Sequence, residues 1–195
     1  MYKKIVACYA LISVSAYASD IRPLLEIKPS YFFFSSSLIK HIYHKGCFEI
    51  QGSLSIPVCD YVDFYGSVGY RKTQGRAFNT CEKTTLSVLP VDIGLRPIFK
   101  LCKCLYYSFA IGPRFFRLHQ HNNSPYVDCK IKGNGVGFFA YSDITASVSD
   151  CVLFGIFGEY SYEKKKLCSK MQNVYSNGKI QIGGFACGVT LGYIF

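Results

Sequence analysis

The sequence predicts an all-β fold: a closed antiparallel up-and-down transmembrane β-barrel of about eight strands. Apolar and polar residues alternate with a period of two along repeated segments, and the connections between these segments are short and long in turn. Half of the residues are apolar, yet no segment beyond the N-terminus reaches the roughly 18 apolar residues that a membrane helix needs. Such a chain either crosses a membrane with strands or folds as a soluble β-protein.

The N-terminus has the three parts of a secretory signal peptide. Lys3 and Lys4 form a basic start, an apolar run follows, and Ala16 and Ala18 are small residues at the two positions that a signal peptidase reads. We therefore expect residues 1–18 to be a cleaved signal peptide and residues 19–195 to form the exported barrel.

The alternating segments predict eight strands. They lie at about residues 26–37, 47–57, 61–72, 84–98, 104–118, 135–147, 151–163 and 179–195. The second, fourth and sixth connections are short, whereas the other four are longer and polar. Transmembrane barrels of the outer-membrane type have short periplasmic turns and longer extracellular loops, so the long connections are expected on the extracellular side.

One face of each strand is apolar and is predicted to face lipid. Its clearest members are Val62, Phe64, Val68, Leu89, Val91, Ile93, Phe109, Ile111, Phe154, Ile156, Leu191 and Tyr193. A soluble lipocalin-like barrel is the alternative, with this apolar face turned inward. That class usually carries a tryptophan in an early strand, and this chain has no tryptophan.

The opposite faces carry charged residues that a narrow barrel would enclose. The predicted interior ionic network consists of Glu49, Asp63, Asp92, Arg96, Arg114, Asp143 and Glu159, with Arg71 on the same face. Buried charges require partners. Eight strands leave little room for water, so a structural network is favoured over a gated ion path.

The last strand carries the most specific pattern. Val189, Leu191, Tyr193 and Phe195 share an apolar, aromatic face, and small residues form the other. This resembles the C-terminal strand of bacterial outer-membrane barrels, which ends in Phe with an aromatic residue two positions earlier. The resemblance implies that these four residues are read by the barrel-insertion machinery. It also implies a place in the bacterial outer membrane, with its lipid and lipopolysaccharide as partners.

By strand number and loop asymmetry, the chain is similar to the transmembrane domain of outer-membrane protein A and to the opacity-type adhesins. That likeness is architectural and covers the mature chain. It favours a structural or surface-binding envelope protein, with a small-solute or ion channel as the alternative.

Nine cysteines follow the predicted signal peptide, and the strand assignment sorts most of them between two rims. The disulfide candidates at the extracellular rim are Cys47, Cys81, Cys129 and Cys168, and those at the periplasmic rim are Cys59, Cys102, Cys104 and Cys151. Export makes disulfides the first interpretation. No bond can join the two rims, because the hydrocarbon core is about 30 Å thick and bridged Cα atoms lie within about 7 Å. The cysteine content resembles that of chlamydial outer-membrane proteins, which implies crosslinks to other envelope proteins.

The long connections are basic. The candidates for binding an anionic ligand are Lys40, Lys45, Arg76, Lys130, Lys132, Lys164, Lys165 and Lys166, which together give a positive field at the rim. His119, His121 and Ser124 form the one histidine–serine cluster. Their spacing does not match outer-membrane lipid-A deacylases, so a lipid-modifying enzyme is a weaker alternative. We predict no catalytic residues, no metal, no cofactor and no nucleic-acid partner.

Overall fold

The computed structural model describes residues 22–43, 46–76, 83–122, 130–166 and 179–195, so the predicted signal peptide lies outside the described residues. The described residues form nine strands and one short helix. The elements are β1 (Leu24–Phe34), α1 (Ser37–Tyr43), β2 (Gly46–Cys59), β3 (Val62–Arg76), β4 (Lys83–Lys100), β5 (Leu105–Asn122), β6 (Lys130–Ser147), β7 (Val152–Lys166), β8 (Lys179–Gln181) and β9 (Gly184–Ile194). No helix in these ranges is long and apolar enough to cross a membrane.

The strands close on themselves as an antiparallel barrel. Each strand from β1 to β7 pairs with its neighbour in sequence, β7 pairs with β9, and β9 pairs back to β1. The short β8 pairs only with the end of β7, so β8 and β9 together provide the eighth strand. The fold is therefore the closed eight-stranded all-β barrel that the period-two alternation predicts.

Four strands, β3, β5, β6 and β7, extend three to five residues further at the long-loop end than the sequence predicted, whereas β1 ends at Phe34, three residues before its predicted end. β4, β5 and β6 each have 18 residues, whereas about 9–11 tilted residues cross a bilayer. His119, His121 and Lys132, expected in a loop, lie on β5 and β6. Above the lipid, outward side chains are polar, and the apolar alternation that marks a strand is lost there.

The outward face is apolar, as predicted. Ten of the twelve side chains assigned to lipid are exposed, and the remaining two, Val62 and Val91, are half-buried on the same outward face. This orientation excludes the lipocalin-like alternative, in which these side chains would pack in a central core. Aromatic residues stand near both ends of the outward face, as in the girdles of membrane barrels: Tyr31, Phe48, Tyr70 and Tyr160 towards the long loops, and Phe64, Phe99, Tyr193 and Phe195 towards the short turns.

The first long connection contains a helix instead of the expected loop. In α1, Ile39, Ile42 and Tyr43 have the spacing of one helical face. Ile39 and Tyr43 are buried in the mouth of the barrel, where the Tyr43 hydroxyl shares a 3.1 Å hydrogen bond with Thr84. Burial raises the pKa of the Tyr43 phenol, which keeps it neutral. The helix thus lies in the mouth of the barrel at the long-loop end.

Candidate functional site

The barrel interior is filled in layers that follow from the inward side chains of the strands. The layer nearest the short turns centres on Arg96 of β4. Its guanidinium contacts Glu26 at 3.0 Å and Asp143 at 2.9 Å, and its Nε donates to the Ser108 hydroxyl at 2.7 Å. Ser108 also donates to Asp143, as does the Tyr141 hydroxyl at 2.6 Å. These contacts join strands β1, β4, β5 and β6 across the lumen.

An aromatic layer lies above this group. Tyr65 and Tyr141 stack with ring centroids 5.7 Å apart, and Phe139 and Phe157 complete the cluster. The Lys28 ammonium sits 4.0 Å from the Tyr141 ring centroid, 3.2 Å from the Tyr65 hydroxyl oxygen and 2.9 Å from Glu26. The buried ammonium is thereby paired with a carboxylate and packed over two aromatic rings instead of being hydrated.

A second charged layer centres on Arg114 of β5. Nε and Nη2 donate to the two oxygens of Asp92 at 2.6 and 2.7 Å, and Nη2 also donates to Glu159 at 2.5 Å. Glu163 accepts a longer bond of 3.4 Å from Nη1. Arg114 is completely buried, so this fork of bonds replaces its whole hydration shell.

Arg71 links this layer to the apolar mouth, with fewer partners. Its Nη2 donates to both oxygens of Glu163 at 2.8 Å, and its guanidinium carbon lies 3.9 Å from the ring centroid of Phe32. Nη1 approaches Glu49 only to 3.6 Å, and both Nε and Nη1 lack a hydrogen-bond acceptor within the part of the chain described.

Above these layers, an apolar cluster fills the mouth of the barrel at the long-loop end. It joins α1 to inward side chains of β1, β2, β4, β5 and β9 and to Ile182, which precedes β9. Its members are Phe32, Phe34, Ile39, Tyr43, Cys47, Leu86, Val88, Phe116, Leu118, Ile182 and Ala186. Charged layers, aromatic rings and this cluster therefore follow one another along the lumen. The interior is packed as expected for eight strands.

The structure places all of the predicted interior charges inside the barrel. Arg96 meets Asp143, and Arg114 meets Asp92 and Glu159. Asp63 faces the same interior opposite Arg96, but among the described residues it forms no ion pair with it. Glu49 lies beside Gln51, whose amide donates to it at 3.3 Å. The network is therefore uneven, with Arg96 and Arg114 as its two centres.

Three members of the network were missed at the level of sequence: Glu26, Lys28 and Glu163. Glu26 and Lys28 alternate with the outward residues Leu25 and Ile27. The period-two alternation of β1 was therefore sufficient to place both side chains inside the barrel. Glu163 continues the inward alternation of Glu159 on β7, four residues beyond it. It was missed because the predicted strand stopped there.

The rim at the short turns, predicted to be periplasmic, carries four exposed cysteines. Cys59 ends β2, Cys102 and Cys104 lie in the β4–β5 turn, and Cys151 precedes β7. None of them is in a disulfide in the described structure.

The extracellular set of cysteines differs from the expectation at one position. Cys47 is buried in the apolar cluster inside the barrel and not exposed at the rim, because Phe48 and Ile50 face outward and the alternation turns Cys47 inward. Cys81, Cys129 and Cys168 lie outside the described residues. Cys187 faces outward on β9.

The predicted basic residues lie at the long-loop end where they are described. Lys40 is exposed on α1, and Arg76, Lys132 and Lys164 are exposed on strand ends. Lys130, Lys165 and Lys166 belong to strand ends whose side chains are not described, and Lys45 and Ser124 lie outside the described residues. His119 and His121 point outward from β5.

Charge is segregated between the two faces of the wall. Every carboxylate on the described strands points into the barrel: Glu26, Glu49, Asp63, Asp92, Asp143, Glu159 and Glu163. The charged side chains exposed at the long-loop ends of the described strands are all basic: Lys72, Arg76, Lys83, Arg117, Lys132 and Lys164. Arg117 was missed as a binding candidate because the predicted strand enclosed it. Its polar character within an outward apolar face was the available signal.

No known family model matches this sequence, and no curated protein sequence matches it. Solved structures share its fold. Neisserial surface protein A aligns with a TM-score of 0.60 and 12% identity over 91% of this chain and 98% of that chain. OprG from Pseudomonas aeruginosa aligns with a TM-score of 0.57 and 9% identity over 90% of this chain and 94% of that chain.

A third similar structure contains a bound ligand. Ail, the attachment invasion locus protein of Yersinia pestis, was solved in complex with the heparin analogue sucrose octasulfate. It aligns with a TM-score of 0.50 and 11% identity over 90% of this chain and 97% of that chain. At such identities these likenesses show the fold alone, that of small outer-membrane barrels.

Proposed function

We propose that the chain is a bacterial outer-membrane protein with a structural and surface-binding role, whose basic extracellular end binds anionic ligands. The observation that carries the proposal is the segregation of charge. Carboxylates on the described strands are enclosed, and the charged side chains exposed at the long-loop ends of these strands are basic. Clustered basic side chains give a positive field that attracts sulfated or phosphorylated polymers.

The packed lumen supports a scaffold over the small-solute or ion channel. Arg96 and Arg114 each bridge carboxylates from different strands, and the aromatic layer around Tyr65 lies between them. α1 and the apolar cluster then cover the mouth. A solute would have to displace several buried ion pairs, which costs far more than thermal energy.

The binding proposal is tested with the refolded barrel in detergent, on immobilised heparin at low and high salt. We expect retention at low salt that falls as salt screens the charges. Neutralising Lys40, Arg76 and Lys164 to Gln should weaken retention. The control changes Lys100 and Lys103, exposed near the short turns, to Gln and should leave retention close to the wild type. Equal loss in both variants would show non-specific charge attraction and refute a binding face at the long-loop end.

The heparin test has a structural parallel. The barrel of Ail is recorded with a polysulfated ligand, which shows that a barrel of this architecture can present a polyanion site. Planar-bilayer recording tests the remaining alternative. Stepwise conductance from the refolded wild-type protein would refute the scaffold and restore the channel.

We also propose that the periplasmic rim is crosslinked to other envelope proteins through disulfides. Four exposed cysteines lie on this one rim, none of them bonded in the described structure, and an oxidising compartment favours their pairing. Non-reducing electrophoresis of isolated envelopes should show high-mass species that collapse on reduction. Changing Cys59, Cys102, Cys104 and Cys151 to Ser should abolish those species, whereas changing the buried Cys47 should not. A wild-type monomer without reductant would refute crosslinking.

A further inference from the structure

The outer wall formed by β3, β4, β5 and β6 changes character in three successive rows of side chains. Paired positions define the rows. The lowest is apolar, with Val68, Val91, Phe115 and Val136; the next contains Leu89, Arg117 and Asn134; the highest contains Lys72, Ser87, His119 and Lys132. Tyr70 stands beside the middle row. An apolar row followed by a mixed and then a basic one marks the boundary between acyl chains and headgroups.

Grooves follow these rows down the wall. One of about 300 Å³ is lined by Arg117, His119 and Lys132 among others, and it shares Arg117 and Leu89 with a second groove of about 450 Å³. The second is lined mainly by apolar side chains and shares Val91 with a third groove of about 360 Å³. The three grooves therefore adjoin, with basic groups at the top and apolar lining below.

The lower groove exists because two outward positions lack side chains. Gly52 and Gly66 line it beside Leu54 and Ile93. A Cβ at Gly52 would meet no atom within 4 Å, and one at Gly66 would meet only a backbone oxygen at 3.9 Å. These glycines are thus not required by close packing of the wall.

The dimensions suit one leaflet of a bilayer. The middle row and the row of Gly66 and Ile93 are four residues apart along β4, which is about 13 Å along the strand and about 10 Å along the bilayer normal at a strand tilt of about 40°. Half of the hydrocarbon core is about 15 Å thick. A chain of methylene groups anchored at Arg117 would therefore lie along the grooves for about two-thirds of the depth of one leaflet.

The charges at the top of the grooves are not neutralised by the wall. All carboxylates of the described strands point inward, and Arg117 and Lys132 take part in none of the ion pairs among the described residues. A guanidinium and an ammonium side by side at a lipid boundary form a phosphate-binding pair.

We propose that this wall is a binding site for a phosphorylated glycolipid of the outer leaflet, of the lipid A class. Arg117 and Lys132 hold a phosphate on the sugar, with His119 beside them, and an acyl chain lies in the groove over Val91, Phe115 and Gly66. The inference rests on the proposed outer-membrane role but uses Arg117 and Lys132 on the strand wall, not Lys40, Arg76 and Lys164 of the heparin test.

The test measures lipid binding to the refolded barrel in detergent by native mass spectrometry, with bisphosphorylated lipid A, dephosphorylated lipid A and phosphatidylglycerol as probes. We expect bisphosphorylated lipid A to bind most tightly. Arg117→Gln should weaken its binding about tenfold or more, because a charge-assisted hydrogen bond is lost. The charge control is Lys100→Gln, exposed at the opposite end of β4. It should match the wild type.

A second pair of variants tests the acyl track, the groove over Val91, Phe115 and Gly66 in which the acyl chain is proposed to lie. Gly66→Leu fills the groove and should weaken binding, whereas Gly158→Leu adds the same side chain on β7, where its Cβ makes only ordinary contact with Phe185. An unheated electrophoretic shift verifies that each variant is folded. Wild-type binding by Gly66→Leu would overturn the acyl track. Equal binding of dephosphorylated lipid A would overturn the phosphate site, and equal binding of phosphatidylglycerol would overturn the glycolipid.

The experiments can refute the heparin-binding proposal and the lipid A site independently of each other. Arg117→Gln removes one charge from an extended basic end, so heparin retention should fall only slightly while lipid A binding falls strongly. Loss of heparin retention in the variant of Lys40, Arg76 and Lys164, with normal lipid A binding, leaves the wall site intact. No heparin retention by the wild type, with lipid A binding that depends on Arg117, would refute only the surface-binding role.

Discussion

Replacing Arg114 with Met should destabilise the barrel strongly, because it strips two buried carboxylates of their main partner. Three bonds of 2.5 to 2.7 Å to Asp92 and Glu159 disappear, along with the 3.4 Å bond to Glu163. Breaking a buried ion pair from one side typically costs about 3–5 kcal/mol. The free energy of unfolding of a domain is commonly only about 5–15 kcal/mol, so this loss would be a large fraction of it.

The control for Arg114 lies three residues along the same strand. Arg117 faces outward, so Arg117→Met removes the same chemical group from a solvent-accessible position. A loss below about 1 kcal/mol is expected there in vesicles that contain no glycolipid. A triple variant that also changes Asp92 to Asn and Glu159 to Gln should recover much of the loss, since it no longer leaves uncompensated buried charges.

The assay for these variants is urea unfolding in phosphatidylcholine vesicles, followed by far-UV circular dichroism because the chain has no tryptophan. The free energy of unfolding of Arg114→Met is compared with those of the wild type, Arg117→Met and the triple variant. If Arg114→Met loses no more stability than Arg117→Met, the interior network does not support the fold as described.

Three further predictions follow from the same interior. Arg71→Met should cost less stability than Arg114→Met in the same urea titration, because two nitrogens of Arg71 already lack acceptors in the described structure; an equal or larger cost would contradict this. Replacing α1 by a Gly/Ser linker should not raise planar-bilayer conductance, because the ion pairs and rings below remain; new channels would contradict the packed lumen. Maleimide should label Cys102 quickly in the folded barrel and Cys47 only after unfolding, as mass spectrometry would show.

The faces of the strands were predictable because a strand has only two. Once Phe64 was assigned to lipid, the position of Asp63 inside the barrel followed from alternation alone. The same rule places Cys47 inside, one residue before the outward Phe48. Its assignment to the rim came from its nearness to a loop, which is a weaker criterion than the alternation.

The partners within the network were not predictable. Arg71 meets Glu163 across 92 residues, and Arg96 meets Glu26 across 70. The stagger and tilt of the strands determine which inward residues share a layer, and neither can be deduced from a single sequence. The helix α1, in contrast, has a recognisable sequence pattern, since Ile39, Ile42 and Tyr43 follow helical spacing. It was masked by the expectation that a long polar connection is irregular.

The net charge of the chain understates how basic its exterior is. The formal charge is +10 over the whole sequence, but the interior of the described barrel encloses seven carboxylates and only four cations, Lys28, Arg71, Arg96 and Arg114. Because this interior has a net negative charge, the outer wall and the connections carry more positive charge than the formal net charge of the chain indicates. An exterior of this kind attracts phosphate and sulfate groups. The same alternation that places the acidic side chains in the lumen leaves the basic side chains around Arg117 on the outer wall, so the interior ion pairs and the basic exterior have one origin in the sequence.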